Sequence, residues 1–139
     1  MTTEPKRTIF FVSDGTGITA ETIGHSLITQ FERIAFKQVR IPFVDSASKA
    51  ERALEKITRE AERSELRPIV INTFVDSALS RIIYRSPGLV VDVLDTFLGM
   101  FEQELGVART PRVGQAHGLV EYQTSATHPN STPISSASE

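Results

Sequence analysis

The sequence has no cysteine, so a disulfide scaffold, a Cys-ligated zinc site and a thiol nucleophile are all excluded. It has little net charge, formally −2 over 139 residues, which argues against a generic basic surface for nucleic acid. No apolar run approaches the roughly 20 residues needed to span a bilayer. The run that follows Lys6 and Arg7, Ile9 to Val12, is too short for a signal peptide. Three histidines are present, His25, His117 and His128, and no two have metal-ligand spacing, so no metal site is expected. The phosphate-binding loop is missing as well. That motif needs a lysine after glycine and before Ser or Thr, and the four lysines (Lys6, Lys37, Lys49, Lys56) follow Pro, Phe, Ser and Glu. Neither a G-x-S-x-G elbow nor an H-R-D kinase loop occurs. These absences predict a cytoplasmic protein that binds neither nucleic acid nor membrane.

What is present alternates in character. Thr8–Ser13 is a continuous apolar run, the mark of a strand buried on both faces. Asp14-Gly15-Thr16-Gly17 breaks it with turn chemistry, and from Ile18 to Phe31 the period becomes helical, with Ala20, Ile23, Leu27 and Phe31 on one face. Phe36–Val44 alternates until Pro42, which cannot donate to a ladder, so this is an edge strand or its end leaves the sheet. Ser46 can cap a helix with Ala50, Ala53, Leu54, Ile57 and Ala61 inward. Pro68–Val75 reads as a third buried strand, followed by a short helix capped by Asp76 or Ser77 with Leu79, Ile82 and Ile83 inward. Leu89–Val93 reads as a fourth strand and Leu94–Leu105 as a fourth helix closed by Gly106, although one continuous helix is the alternative there. The sum is an α/β fold: a mostly parallel sheet of about four strands with helices on both faces.

The expected organisation is a flexible N-terminus over 1–7, an α/β domain over 8–106, an irregular segment over 107–123 and a disordered, Ser/Thr/Pro-rich tail over 124–139. Parallel sheets bind ligands outside the carboxyl ends of their strands. That directs attention to Ser13-Asp14-Gly15-Thr16-Gly17-Ile18-Thr19-Ala20, at a strand-to-helix junction. Three readings compete. The glycines and the helix N-terminus suit an anion or a hydroxyl-bearing ligand, with Ser13, Asp14, Gly15, Thr16, Gly17 and Thr19 as its contacts. Gly15-x-Gly17-x-x-Ala20 also fits a dinucleotide fingerprint with Asp45 as the ribose acid, at loose spacing. Alternatively the stretch is a tight turn in which Asp14 or Thr16 caps the helix. Asp45-Ser46 and Asp76-Ser77 read as N-caps, and His117 is the one histidine in a setting that warrants a test.

The stretch from Phe10 to Leu27 resembles the phosphoenolpyruvate synthase regulatory proteins, which belong with the pyruvate, phosphate dikinase regulatory proteins. Further matches follow in order at Gln30-Phe31, Val39–Asp45, Arg67–Val70, Glu102-x-Glu104-Leu105-Gly106 and Gly114-x-x-His117-Gly118. The resemblance implies a bifunctional regulator. It would use ADP to phosphorylate a threonine of its target, phosphoenolpyruvate synthase, and inorganic phosphate to reverse the modification with release of pyrophosphate. Such proteins carry a P-loop of the G-V-S-R-x-x-K-T type in a second half that has no counterpart here, and after Gly118 this sequence departs from the family pattern. The resemblance therefore implies a truncated family member, inactive alone and binding no cofactor of its own, with Asp14 and His117 as candidate catalytic residues. The alternatives are a non-catalytic target-binding or self-associating fragment, or a small nucleotide-binding module using Gly15–Ala20.

Overall fold

Four short apolar segments form the strands of a computed structural model that describes residues 6–110. They are β1 (Arg7–Val12), β2 (Phe36–Ile41), β3 (Ile69–Asn72) and β4 (Leu89–Asp92), and they alternate with α1 (Ile18–Ile28), α2 (Ala47–Arg63), α3 (Ser77–Ile83) and α4 (Val93–Leu105). The strands make one all-parallel sheet in the order β2-β1-β3-β4. β1 is central, which accounts for its apolar run: Ile9, Phe10, Phe11 and Val12 are all buried.

Alternation along β1 divides the core between the two sheet faces. Phe10 and Val12 join Val70, Phe74, Ala50, Ala53, Ile57, Leu79 and Ile83 under α2 and α3. Ile9 and Phe11 join Ile71 and Ala20 on the other face, where Ile28, Phe36, Ile69, Val91 and Val93 remain only partly covered. Helices on both faces are as the sequence implies, but the α1 face is much the thinner of the two.

Local differences from the sequence reading have physical causes. α1 ends at Ile28, and its inward residues are Ala20 and Gly24, not a stripe continuing to Leu27 and Phe31, which are exposed. Gly24 permits this, because it lies against Phe11 so closely that a Cβ there would meet the ring. β2 is an edge strand and stops before Pro42, so both features expected of that proline hold. The fourth strand and fourth helix are separate, meeting at Asp92, whose carboxylate caps α4. Of the expected irregular segment over 107–123, residues 107–110 follow α4 without regular secondary structure, while 111–123 and the expected tail over 124–139, with His117 and His128, lie outside the described residues.

Candidate functional site

Successive connections from β1 run to opposite sides of the sheet, first to β2 and then across to β3. The strand order therefore reverses between β1 and β3, and the crevice at that reversal is where sheets of this kind place ligands. Its walls are the β1–α1 loop, Ser13 to Gly17, and the β3–α3 loop, Thr73 to Asp76.

The first wall is held rigidly. The Ser13 hydroxyl accepts from Gly15 N at 2.9 Å. The Ser13 and Gly15 carbonyls accept from Val44 N at 2.9 Å and Phe43 N at 2.8 Å, and Ser13 N donates to the Ile41 carbonyl. Gly17 has φ +93°, and a Cβ on it would meet Arg40 Cγ at 3.0 Å. The positive φ is what favours glycine there, and the Arg40 side chain would have to give way slightly for any larger residue. Phe43 carries a φ of +60°, uncommon for a bulky residue and fixed by its bond to Gly15.

The N-cap residue of α1 is Gly17, without a side-chain cap of its own, and Thr16 Oγ1 accepts from the first helical N–H, Ile18 N, at 3.3 Å, as the capping reading expects of it. Asp14 turns inward, almost wholly buried, and its Oδ2 accepts from Val75 N at 3.5 Å, linking the two walls. Thr19 is half-buried in the first turn of α1. The other strand-end pairs do act as caps: Ser46 accepts from Lys49 N and Asp76 from Ala78 N. Asp45 instead pairs with Lys49 Nζ at 2.9 Å, and this hydrogen bond holds its carboxyl below the ordinary range.

The second wall brings in residues that the motif search passed over. Asn72 and Thr73 are fully buried, and neither the Asn72 amide nor the Thr73 hydroxyl has a hydrogen-bond partner among the described residues. Buried polar groups are normally paired, so both are costly to keep in an apolar interior. Asn72 stands in register between Val12 and Asp92. Burial pushes the Asp92 carboxyl up, and the Ser80 hydroxyl, which faces it without reaching ordinary hydrogen-bond geometry, offsets this only in part. The signal available in the sequence was a polar pair, Asn72-Thr73, interrupting the apolar run PIVINTFV.

Arg109 closes one side. Its guanidinium binds Glu102 through Nε at 2.9 Å and Nη2 at 2.9 Å, Asp95 at 2.7 Å, and the Val75 carbonyl at 3.4 Å. The hydrogen bonds from Arg109 bring the Glu102 carboxyl down to about 2. His25 takes no part: it bonds Gln38 at 2.6 Å and sets its ring edge-on to Phe11. Asp45, the candidate ribose acid, lies beyond β2 in a half-exposed ion pair with Lys49, and Asp14 is buried at the end of β1. No cluster of metal-ligating side chains occurs among the described residues, and no helix there is long and apolar enough to cross a membrane.

Against known proteins, a family model described as Kinase/pyrophosphorylase matches residues 9–126. A protein of Xylella fastidiosa strain M12 is 50% identical over 118 residues, covering 85% of this chain and 43% of its own length. One of Stenotrophomonas maltophilia strain R551-3 is 51% identical with the same coverage, and one of Xanthomonas oryzae pv. oryzae is 48% identical. All three are provisionally named phosphoenolpyruvate synthase regulatory proteins. The chain spans less than half the length of these curated relatives.

Proposed function

Because the chain belongs to the kinase/pyrophosphorylase family, we propose that its domain serves the regulation of phosphoenolpyruvate synthase by reversible phosphorylation of a threonine. In one direction the threonine oxygen attacks the β-phosphorus of ADP, AMP leaves, and the hydroxyl proton passes to a base. In the other, an oxygen of inorganic phosphate attacks the phosphorus of phosphothreonine, the bond from that phosphorus to the threonine oxygen breaks as pyrophosphate forms, and the departing threonine oxygen takes up a proton.

The observation that carries the assignment of this domain's part is the cluster of buried polar side chains beneath the β1/β3 reversal. Ser13, Asp14, Asn72 and Thr73 are almost wholly buried, and Asp14 is held there by Val75 N. Above them Gly15, Thr16 and Thr19 reach the surface. These surface residues receive the acceptor threonine, and the two loops part to let its hydroxyl reach Asp14, the proton acceptor. The donor nucleotide needs a cradle of backbone amides and a lysine, and no such loop occurs in the 139 residues. That cradle belongs to the part of the family chain outside the match. His117, outside the described residues, is the second candidate for the base.

The test is a phosphothreonine assay on phosphoenolpyruvate synthase with ADP. The 139-residue chain alone is expected to give no signal, and phosphorylation above background would overturn the assignment of the nucleotide loop to another part of the family chain. In the intact Stenotrophomonas relative, asparagine at the position aligned with Asp14 should lower both directions by about 10²-fold or more. Undiminished rates would remove Asp14 from the mechanism, and the same substitution at the position aligned with His117 tests the other candidate.

A further inference from the structure

The apolar side of α4 is turned away from the protein's own core. Phe97, Phe101 and Leu105 recur at four-residue intervals and so share one stripe with Met100 beside it. They are 54%, 62%, 64% and 61% exposed, and no residue of α4 is buried. What holds the last turns of α4 to the domain is polar: Arg109 clasps Asp95 and Glu102 and reaches the Val75 carbonyl. The same sheet face is thinly covered elsewhere. Ile69, Val91 and Val93 are only partly buried, and Leu27 and Phe31 stand exposed at the end of α1. On the opposite face α2 packs directly on α3 over a larger buried core, with Val39, Ile41, Ile82 and Val90 partly covered at its margin. Large apolar side chains exposed together along one helix mark an interaction site.

We infer that the α1/α4 face is the docking surface for the portion of the family chain lying outside the matched residues. Two observations select that occupant. More than half the length of each relative lies outside the match, so a polypeptide of domain size exists to cover the face. The charge on α4 opposes the simplest alternative: the helix has no lysine or arginine, Arg109 is already engaged with Asp95 and Glu102, and Glu104 beside the stripe would face its own copy if two α4 stripes paired. Glu104 makes no ion pair among the described residues and borders the stripe. The partner surface is therefore apolar with a basic residue set against Glu104.

This inference rests on family membership but not on the catalytic assignment, and its test reads no activity. Because the chain has no cysteine, Phe101→Cys introduces a single thiol into the stripe, and Glu55→Cys, on the exposed side of α2, serves as a control. Labelling with a maleimide, resolved by peptide mass spectrometry, is compared with the same two positions in the intact Stenotrophomonas relative. The expected result is rapid labelling of both thiols in the 139-residue chain, and protection of only the 101 position, by tenfold or more, in the intact relative. Equal labelling of that position in both proteins would overturn the inference. Concentration-dependent protection in the 139-residue chain would also overturn it, in favour of a second copy. Met100→Cys repeats the measurement if Phe101→Cys fails to fold, with circular dichroism as the check.

Discussion

Arg109 ties together three places that sequence order keeps apart: α4 through Asp95 and Glu102, the β3–α3 loop through the Val75 carbonyl, and the segment it belongs to. Its effect on Glu102 gives a prediction with a definite sign. The folded carboxyl sits at about 2 against an ordinary 4.5, so its contribution to stability is complete above pH 4.5 and fades as pH falls toward 2. Arg109→Met should abolish that share of the acid sensitivity, and urea melts at pH 7 and pH 3 should show a smaller difference in the variant. Asp92 has the opposite sign. Its value is raised by burial above 3.8, so the folded state favours the protonated form and stability declines as pH rises from 3.8 through the raised value. Asp92→Asn keeps an oxygen to accept from Asp95 N while removing the charge. The variant's stability relative to wild type should therefore be greater at pH 7 than at pH 3, and no difference between the two pH values would show that the carboxylate is not held up. Gly24 supplies a third test at this scale. Alanine in an open helix stabilises by up to about 1 kcal/mol over glycine, but here its Cβ would overlap Phe11 Cε1. Gly24→Ala should instead destabilise, by about 1–3 kcal/mol in chemical denaturation.

The helices differ in how they begin, and this decides how much of the site could be read from the sequence. Ser46, Asp76 and Asp92 cap α2, α3 and α4 with their side chains. Each is the residue type that caps are made of, so the first two were legible from the Asp-Ser pairs alone. α1 has no such cap, only Gly17 at φ +93°, and that departure marks the crevice. Sequence reasoning located this loop from its glycines and left three readings of it open, a ligand loop, a dinucleotide turn and a helix cap, because no local rule shows that Asp14 points into the interior. The second wall was invisible for a related reason. Asn72 and Thr73 sit inside a run whose periodicity says only "strand", and their importance comes from the neighbours, Val12 and Asp92, that register sets beside Asn72. Strand and helix identities followed from period and turn chemistry, whereas the inward face of α1 did not, since a glycine packed on Phe11 rotates it away from the apolar stripe. At Gly17 the conformational argument makes its own prediction. Alanine there must take a left-handed φ and press on Arg40, so Gly17→Ala should cost about 1–2 kcal/mol. A thermal melt unchanged from wild type would mean that the loop relaxes into another turn.

Across the whole molecule the two faces of the sheet are not equivalent, and this asymmetry separates residues that build the domain from residues it holds in reserve. Phe74 and Ile83 are fully buried in the closed face beneath α2 and α3. Phe97 and Phe101 are as apolar and as large, yet stand more than half exposed on α4. Hydrophobicity in the sequence does not distinguish these pairs: LVVDVLDTFLGMF has apolar residues enough for either a core helix or an interface helix, and in the fold Val93, Leu94 and Leu98 are half-buried while Arg109 clasps Asp95 and Glu102. If the stripe were part of this domain's core, truncating it would be as costly as truncating the closed face. Phe74→Ala should lower stability by about 3–5 kcal/mol, the usual range for a buried phenylalanine. The double variant Phe97→Ser/Phe101→Ser should change it by no more than about 1 kcal/mol, because neither ring has a cavity to leave behind. Urea denaturation of the 139-residue chain measures both. A loss in the double variant comparable to that of Phe74→Ala would place the stripe within the folding core and remove the physical basis for reading it as a docking face. A near-neutral result, combined with reduced binding of a dye that reports exposed apolar surface, would leave the stripe as surface whose hydrophobicity serves contact with another polypeptide and not the stability of this fold.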